Sequence, residues 1–189
     1  MITFEVIKFT LMPTVNSSFS RDNNRVPITT DGITLPSNVQ TLTGNNTTVN
    51  TPIFSITGTV EIRGLWAVVT TDLGANHTAA YWRLNDQTAQ VNITLNTGTT
   101  LSAIKAGSAI VKKGLAAAAL TKLDNAAGVI SEPTTLETTF FSPFLAVKKT
   151  GAATNIEYCY TTTDTPTSGA LIHYVRFIPV SSDGTITAL

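Results

Sequence analysis

Residues that carry chemistry are scarce in this chain: it has one cysteine, two histidines, and acidic and basic side chains in equal number that make up only 13% of its residues. The lone Cys159 cannot close an internal disulfide, which fits synthesis in a reducing compartment. A formal net charge of zero leaves no basic stripe to neutralise phosphates, so nucleic acid is not an expected partner. Low charge together with 42% apolar residues gives little repulsion between copies and favours association. No run approaches the roughly 18 apolar residues of a membrane helix, so no membrane partner is expected. The opening Met1-Ile2-Thr3-Phe4-Glu5-Val6 has no basic stretch followed by an unbroken apolar one, so no secretory leader is expected. Sequons at Asn16, Asn45, Asn46, Asn76 and Asn92 are then chance products of a chain rich in Asn and Thr.

Catalytic and metal-binding patterns are equally thin. His77, read as part of a turn, and His173, on an apolar strand, have no Cys, His, Asp or Glu at ligand spacing, so both are expected to be solvent-facing or hydrogen-bonded and no metal is proposed. No Gly-x-Ser-x-Gly elbow and no phosphate-binding glycine loop occur. Asp72, Asp86, Glu132, Glu137, Glu157 and Asp164 supply carboxylates, but any sandwich surface carries similar ones, and the loop aspartates match no calcium-loop pattern. Neither catalytic residues nor a cofactor are assigned, and an enzyme is not expected. Trp66, Tyr81, Trp82, Tyr158, Tyr160 and Tyr174 are expected to pack in a core, with a sugar-stacking face as the alternative.

Threonine is what the chain has in excess, close to one residue in five. It is β-branched, stiff at χ1 and suited to a pleated, half-wet surface, so the fold is expected to be mainly β. Ile2, Phe4 and Val6 alternate with polar residues, a strand signal. Met12–Asn50 then turns to Ser, Asn, Thr, Pro and Gly with scattered apolars, too long for an ordinary loop, and is expected to be an extended arm or surface excursion ordered on a neighbour, with a flexible linker as the equal alternative. Strands are expected at Val60–Thr70, with a bulge or close approach at Gly64, and at Thr78–Leu84, Val91–Asn96 and Gly107–Lys113. Others are expected at Thr138–Lys148, with Pro143 at an edge or bend, and at Thr154–Thr162 and Ala170–Val180. Leu115–Leu123 is the single short-helix candidate on Ala and Leu propensity. The last apolar strand, Leu171–Val180, reads dry on both faces, central in a sandwich or covered by another subunit. The resulting expectation is an antiparallel β-sandwich over residues 51–189, jelly-roll-like, preceded by a strand and arm over residues 1–50.

Gly58-Thr59-Val60-Glu61-Ile62-Arg63-Gly64-Leu65-Trp66-Ala67-Val68-Val69-Thr70-Thr71, Ala152-Ala153-Thr154-Asn155-Ile156-Glu157-Tyr158-Cys159-Tyr160-Thr161 and Tyr174-Val175-Arg176-Phe177-Ile178-Pro179-Val180-Ser181-Ser182-Asp183-Gly184 together resemble small virion structural proteins of tailed bacteriophages. The likeness covers about residues 55–189 and is a pattern of strand and turn, with no catalytic signature. It implies a protein made in the bacterial cytoplasm and built into a virion, first of all a decoration or cement protein on the capsid surface. Such a protein would bind the major capsid protein and form homo-oligomers, with a trimer preferred. Contacts are then expected from Phe19, Arg21 and Arg25 of the arm to the capsid, and from Ile172, Tyr174, Arg176 and Ile178 to sister subunits. The alternatives are a tail, baseplate or fibre component and a carbohydrate-binding module.

Overall fold

The computed structural model describes residues 32–74, 77–96, 101, 104–114, 121–123, 141–162 and 168–189, with backbone alone for 121–123. The strands are β1 (Ile33–Thr41), β2 (Thr48–Thr57), β3 (Thr59–Thr71), β4 (His77–Asn85), β5 (Gln90–Asn92) and β6 (Ala109–Val111). They continue with β7 (Thr121–Leu123), β8 (Phe144–Val147), β9 (Thr154–Thr162), β10 (Ala170–Pro179) and β11 (Thr185–Ala188). No helix occurs among the described residues.

Two antiparallel sheets form a sandwich. Sheet A has the order β1-β10-β3-β6-β7, with β8 sharing the second edge of the long β3, and sheet B has the order β11-β2-β9-β4-β5. The chain changes sheet at β1 to β2, β2 to β3 and β3 to β4, at β5 to β6, and again at β8 to β9, β9 to β10 and β10 to β11. The opposed sets β1-β10-β3-β6 and β2-β9-β4-β5 have the strand order of a jelly roll, as expected from the sequence.

Strand β3 shows how sequence sets register. Val60 and Ile62 are even-numbered, Leu65, Ala67 and Val69 are odd-numbered, and all five are buried at 2% exposure or less. A strict two-residue period would send one group to each face. The register shift opposite Arg176 and Phe177 inserts one extra residue at Arg63-Gly64, which restores both groups to the core and meets the expectation of a bulge at Gly64. From the other sheet Phe54, Ile56, Trp82, Ile156, Tyr158 and Tyr160 close against Ile62, Leu65, Leu171 and Val175.

Several expectations need correction. The arm assigned to Met12–Asn50 contains β1 and the start of β2, so from Gly32 onward the chain belongs to the sandwich; residues 1–31 lie outside the described residues. Strand β1 escaped notice because its most buried positions, Ser37 and Gln40, are polar and only Leu35 packs against the core from it among the apolar residues. The helix at Leu115–Leu123 is replaced over Thr121–Leu123 by β7, paired with β6, while residues 115–120 lie outside the described set. Of Val91–Asn96 only Val91 and Asn92 are strand: Ile93 turns inward, and Val91 and Leu95 are exposed. Within the described part of the strand expected at Thr138–Lys148, the strand is β8, which Pro143 directly precedes; residues 138–140 lie outside the described set. Strand β10 lies in the middle of sheet A, but β11 follows it.

Gly169 leads into β10 at a φ of +124°, and an added Cβ would lie 2.7 Å from Leu73 Cδ2 and 2.9 Å from the Asp72 carbonyl oxygen. Both the backbone conformation and the space exclude a side chain. Gly169→Ala is expected to lower unfolding free energy by more than about 1 kcal/mol, read from the urea midpoint.

Candidate interaction surface

Polar side chains inside the sandwich are engaged with one another. His173 and His77 are both 0% exposed. The Trp82 indole N–H donates to His173 Nδ1 at 3.3 Å, which makes that nitrogen an acceptor and leaves the proton on Nε2, facing Gln40 Oε1 at 2.7 Å. The His173 amide donates to Ser37 Oγ at 2.9 Å, so the two polar inward positions of β1 serve this histidine. His77, the first residue of β4 rather than part of a turn, lies 3.0 Å from the Tyr158 hydroxyl through Nε2 and stacks on Tyr160 at 4.4 Å between centroids. Tyr160 donates to the Thr43 carbonyl, holding the β1–β2 connection. Burial depresses the pKa of His77 to about 4 and that of His173 to about 3, so both imidazoles are neutral. Among the described residues, the buried side-chain polar atoms without a partner are Gln40 Nε2 and His77 Nδ1. The aromatic and histidine cluster is thus a polar seam between the sheets.

The outer face of sheet B is polar. Glu157, at the centre of β9, accepts from Arg83 Nε at 2.7 Å and Asn85 Nδ2 at 2.8 Å, and Arg83 Nη1 donates to Gln90 Oε1 at 2.7 Å. Asp72 takes Lys105 Nζ and the Ala106 amide, each at 2.8 Å, and these bonds hold its carboxyl below the usual range. Asp86 takes the Ala89 and Thr88 amides, which lower its pKa and close the β4–β5 turn. Each of these three carboxylates therefore has a structural job, and Glu132, Glu137 and Asp164 lie outside the described residues. No group of three or more His, Cys, Asp or Glu that could hold a metal ion occurs among the described residues. No helix there is long and apolar enough to cross a membrane.

Cys159 is 0% exposed beside Tyr81, and burial pushes its thiol up to about 11. A protonated, covered thiol is a poor nucleophile. An aromatic disulfide reagent at pH 8 is expected to leave Cys159 unmodified in the native protein and to modify it stoichiometrically in denaturant.

The outer face of sheet A differs in kind. Antiparallel register sets Val39, Ile172, Val68 and Ala109 in one cross-strand row, and Pro36, Tyr174, Trp66 and Val111 in the next. Ile178, Glu61 and Leu145 form a further row. Val39, Leu145 and Val147 are 59%, 63% and 57% exposed on this face. Trp66 and Tyr174 stack with centroids 5.4 Å apart and planes 5° from parallel. Gly64 makes room for that indole: a Cβ there would come within 3.1 Å of Trp66 Cζ3. Charged groups cross the face between the Trp66–Tyr174 row and the Ile178 row, where Arg176 is exposed opposite Gly64 and Arg63 pairs with Glu61 at 3.3 Å.

The structure therefore brings Ile172, Tyr174, Arg176 and Ile178 together on one face. Phe19, Arg21 and Arg25 lie outside the described residues. Sequence reasoning missed Pro36, Val39, Leu145 and Val147 as members of this surface, and weighed Trp66 only as a core or sugar-stacking residue. A correct pairing of β1, β3 and β8 around β10 is the signal that finds them. Comparison with protein-family models, with curated proteins and with solved structures found no match.

Proposed function

We propose that this chain is a non-enzymatic structural protein of a tailed-bacteriophage virion, a decoration protein that binds the outer capsid surface and stabilises contacts between capsomers. The observation that carries this reading is the contrast between its surfaces. Buried polar groups and the described carboxylates of sheet B are occupied in holding the sandwich, while sheet A presents a contiguous apolar face with half-exposed aromatics. An apolar patch of this kind is often the functional part of a protein's surface. The jelly roll is also an architecture found in viral capsid domains. Each copy contributes a modest interface to the major capsid protein, and a homotrimer, as the sequence resemblance implies, multiplies it by avidity without new chemistry.

The test is location. Virions of the phage that encodes the chain, separated into heads and tails and probed with antibody to it, should carry it on heads in many copies. Antibody confined to tails or baseplates supports the tail alternative, and its absence from virions removes the reading. The jelly roll also serves lectin domains, and the Trp66–Tyr174 pair favours a second reading, carbohydrate binding. Each ring, however, already spends one face on the other. Glycan binding lost on Trp66→Ala would select it.

A further inference from the structure

We infer that the outer face of sheet A docks on the surface of another protein that presents an apolar strip edged with carboxylates, and not on the same face of a second copy of this chain. The inference rests on the proposed role in a particle and names the chemistry of the contact.

Charge decides between the two occupants. Alternation from Val111 sends Lys112 inward, where it is 5% exposed, and sets Lys113 on the outer side beside Gly64; the Lys112 amide donating to the Leu65 carbonyl at 3.0 Å continues the pairing that far. Lys113 and Arg176 then flank Gly64 from its two neighbouring strands, with Arg63 next in the chain. Glu61 is the one carboxylate on this face among the described residues, and Arg63 already pairs with it. Neither Lys113 nor Arg176 makes an ion pair among the described residues, so the face carries a surplus of positive charge in a chain whose net charge is zero. A two-fold face-to-face dimer sets a patch against itself, and with the cation row lying inside the face a two-fold axis through that row would bring the cations of one copy to those of the other. A partner edged with Asp or Glu meets the same cations with opposite charge.

Area points the same way. Four strands about 4.8 Å apart, over a length of about 20 Å, give a face on the order of 400 Å². A stable dimer needs about 800 Å² from each partner. The face alone is too small for a permanent self-association, and it suits a contact repeated over many copies on a larger surface. Trp66, Tyr174 and Arg176 are the residue types that dominate such contacts, set side by side at its centre.

The experiment uses the full chain and emptied capsids of the phage that encodes it, with cosedimentation to measure affinity at low and at moderate salt, and sedimentation velocity on the free chain. Variants are Lys113→Glu with Arg176→Glu, Val39→Asp on the same face, and Thr187→Glu on exposed strand β11 of sheet B as control. All lie at exposed or half-exposed positions, and circular dichroism checks that they fold. The charge reversal should weaken capsid binding at least tenfold, Val39→Asp should weaken it several-fold, and Thr187→Glu should bind as the parent does. Raising salt should weaken the parent and leave the charge-reversed variant little changed. Reversed and apolar variants that bind like the parent overturn the inference while leaving the particle role standing. A free chain whose oligomer is dissolved by Val39→Asp also overturns it, because the occupant is then a second copy. A parent that does not bind capsids at all removes the particle role and the inference with it.

Discussion

Lowering the pH from 7 toward 4 is expected to unfold this protein cooperatively. His77 and His173 are neutral inside the sandwich, with pKa values depressed to about 4 and about 3 by burial, against 6.5 in an open chain. Below pH 6.5 the unfolded chain therefore holds more protons than the folded one, and stability must fall as pH falls. The stabilisation is complete above pH 6.5, declines through the window down to the folded pKa values, and changes no further below about pH 3. At about 1.4 kcal/mol for each tenfold change in proton affinity, the two histidines together withdraw up to about 8 kcal/mol. That is comparable with the whole stability of an ordinary domain. Unfolding should therefore intervene before either imidazole is fully protonated in place. The groups around them offer no compensation: their partners are Tyr158, Tyr160, Trp82 and Gln40, and among the described residues no carboxylate is bonded to either ring. Urea midpoints measured from pH 7.5 to 4.5 should drop steeply below pH 6.5, with uptake approaching two protons on unfolding. A flat midpoint across that range contradicts the placement of the two rings.

Glu157→Ala is expected to cost about 3–5 kcal/mol, the second large effect. The carboxylate side chain is 6% exposed and that of its partner Arg83 is 11% exposed, so deletion leaves a largely covered guanidinium without its carboxylate, bonded to the neutral Gln90. Adding Arg83→Met should recover part of the loss, because the penalty is the orphaned charge and not the absence of an ion pair. A double variant as unstable as the two single losses summed contradicts that explanation. The measurement is equilibrium unfolding at pH 7.5, where the histidines are silent.

How legible the fold was depended on whether the inward positions of each strand were apolar. Strands β3, β9 and β10 stood out because Ile62, Leu65, Ile156, Leu171 and Val175 lie in long runs rich in β-branched and aromatic residues bounded by turn residues. Strand β1 did not, because Ser37 and Gln40 face inward to satisfy His173, an interaction separated by more than 130 residues. The segment after Gly114 suggested a helix on local propensity, yet its Thr121–Leu123 end is held by pairing with β6, a non-local contact that outweighs propensity. In Val91–Asn96 alternation misled, since Val91 and Leu95 point to solvent and only Ile93 and Thr94 are covered. For the surface, Ile172, Tyr174, Arg176 and Ile178 were readable as one face from β10 alone. Their neighbours Val39, Pro36 and Trp66 come from strands far away in the chain, and cross-strand register is not written in any one of them.

The seam and the face differ in kind: polar groups inside hold the sandwich, and the apolar sheet face outside, crossed by a row of cations, is the surface proposed to meet a partner. The most direct measurement of that proposal is the thermal disruption of emptied capsids from the encoding phage, followed by calorimetry with and without the saturating chain. A cement role predicts that the chain raises the disruption temperature and that the Lys113→Glu, Arg176→Glu double variant does not. Capsids disrupted at the same temperature with and without a bound chain would contradict it.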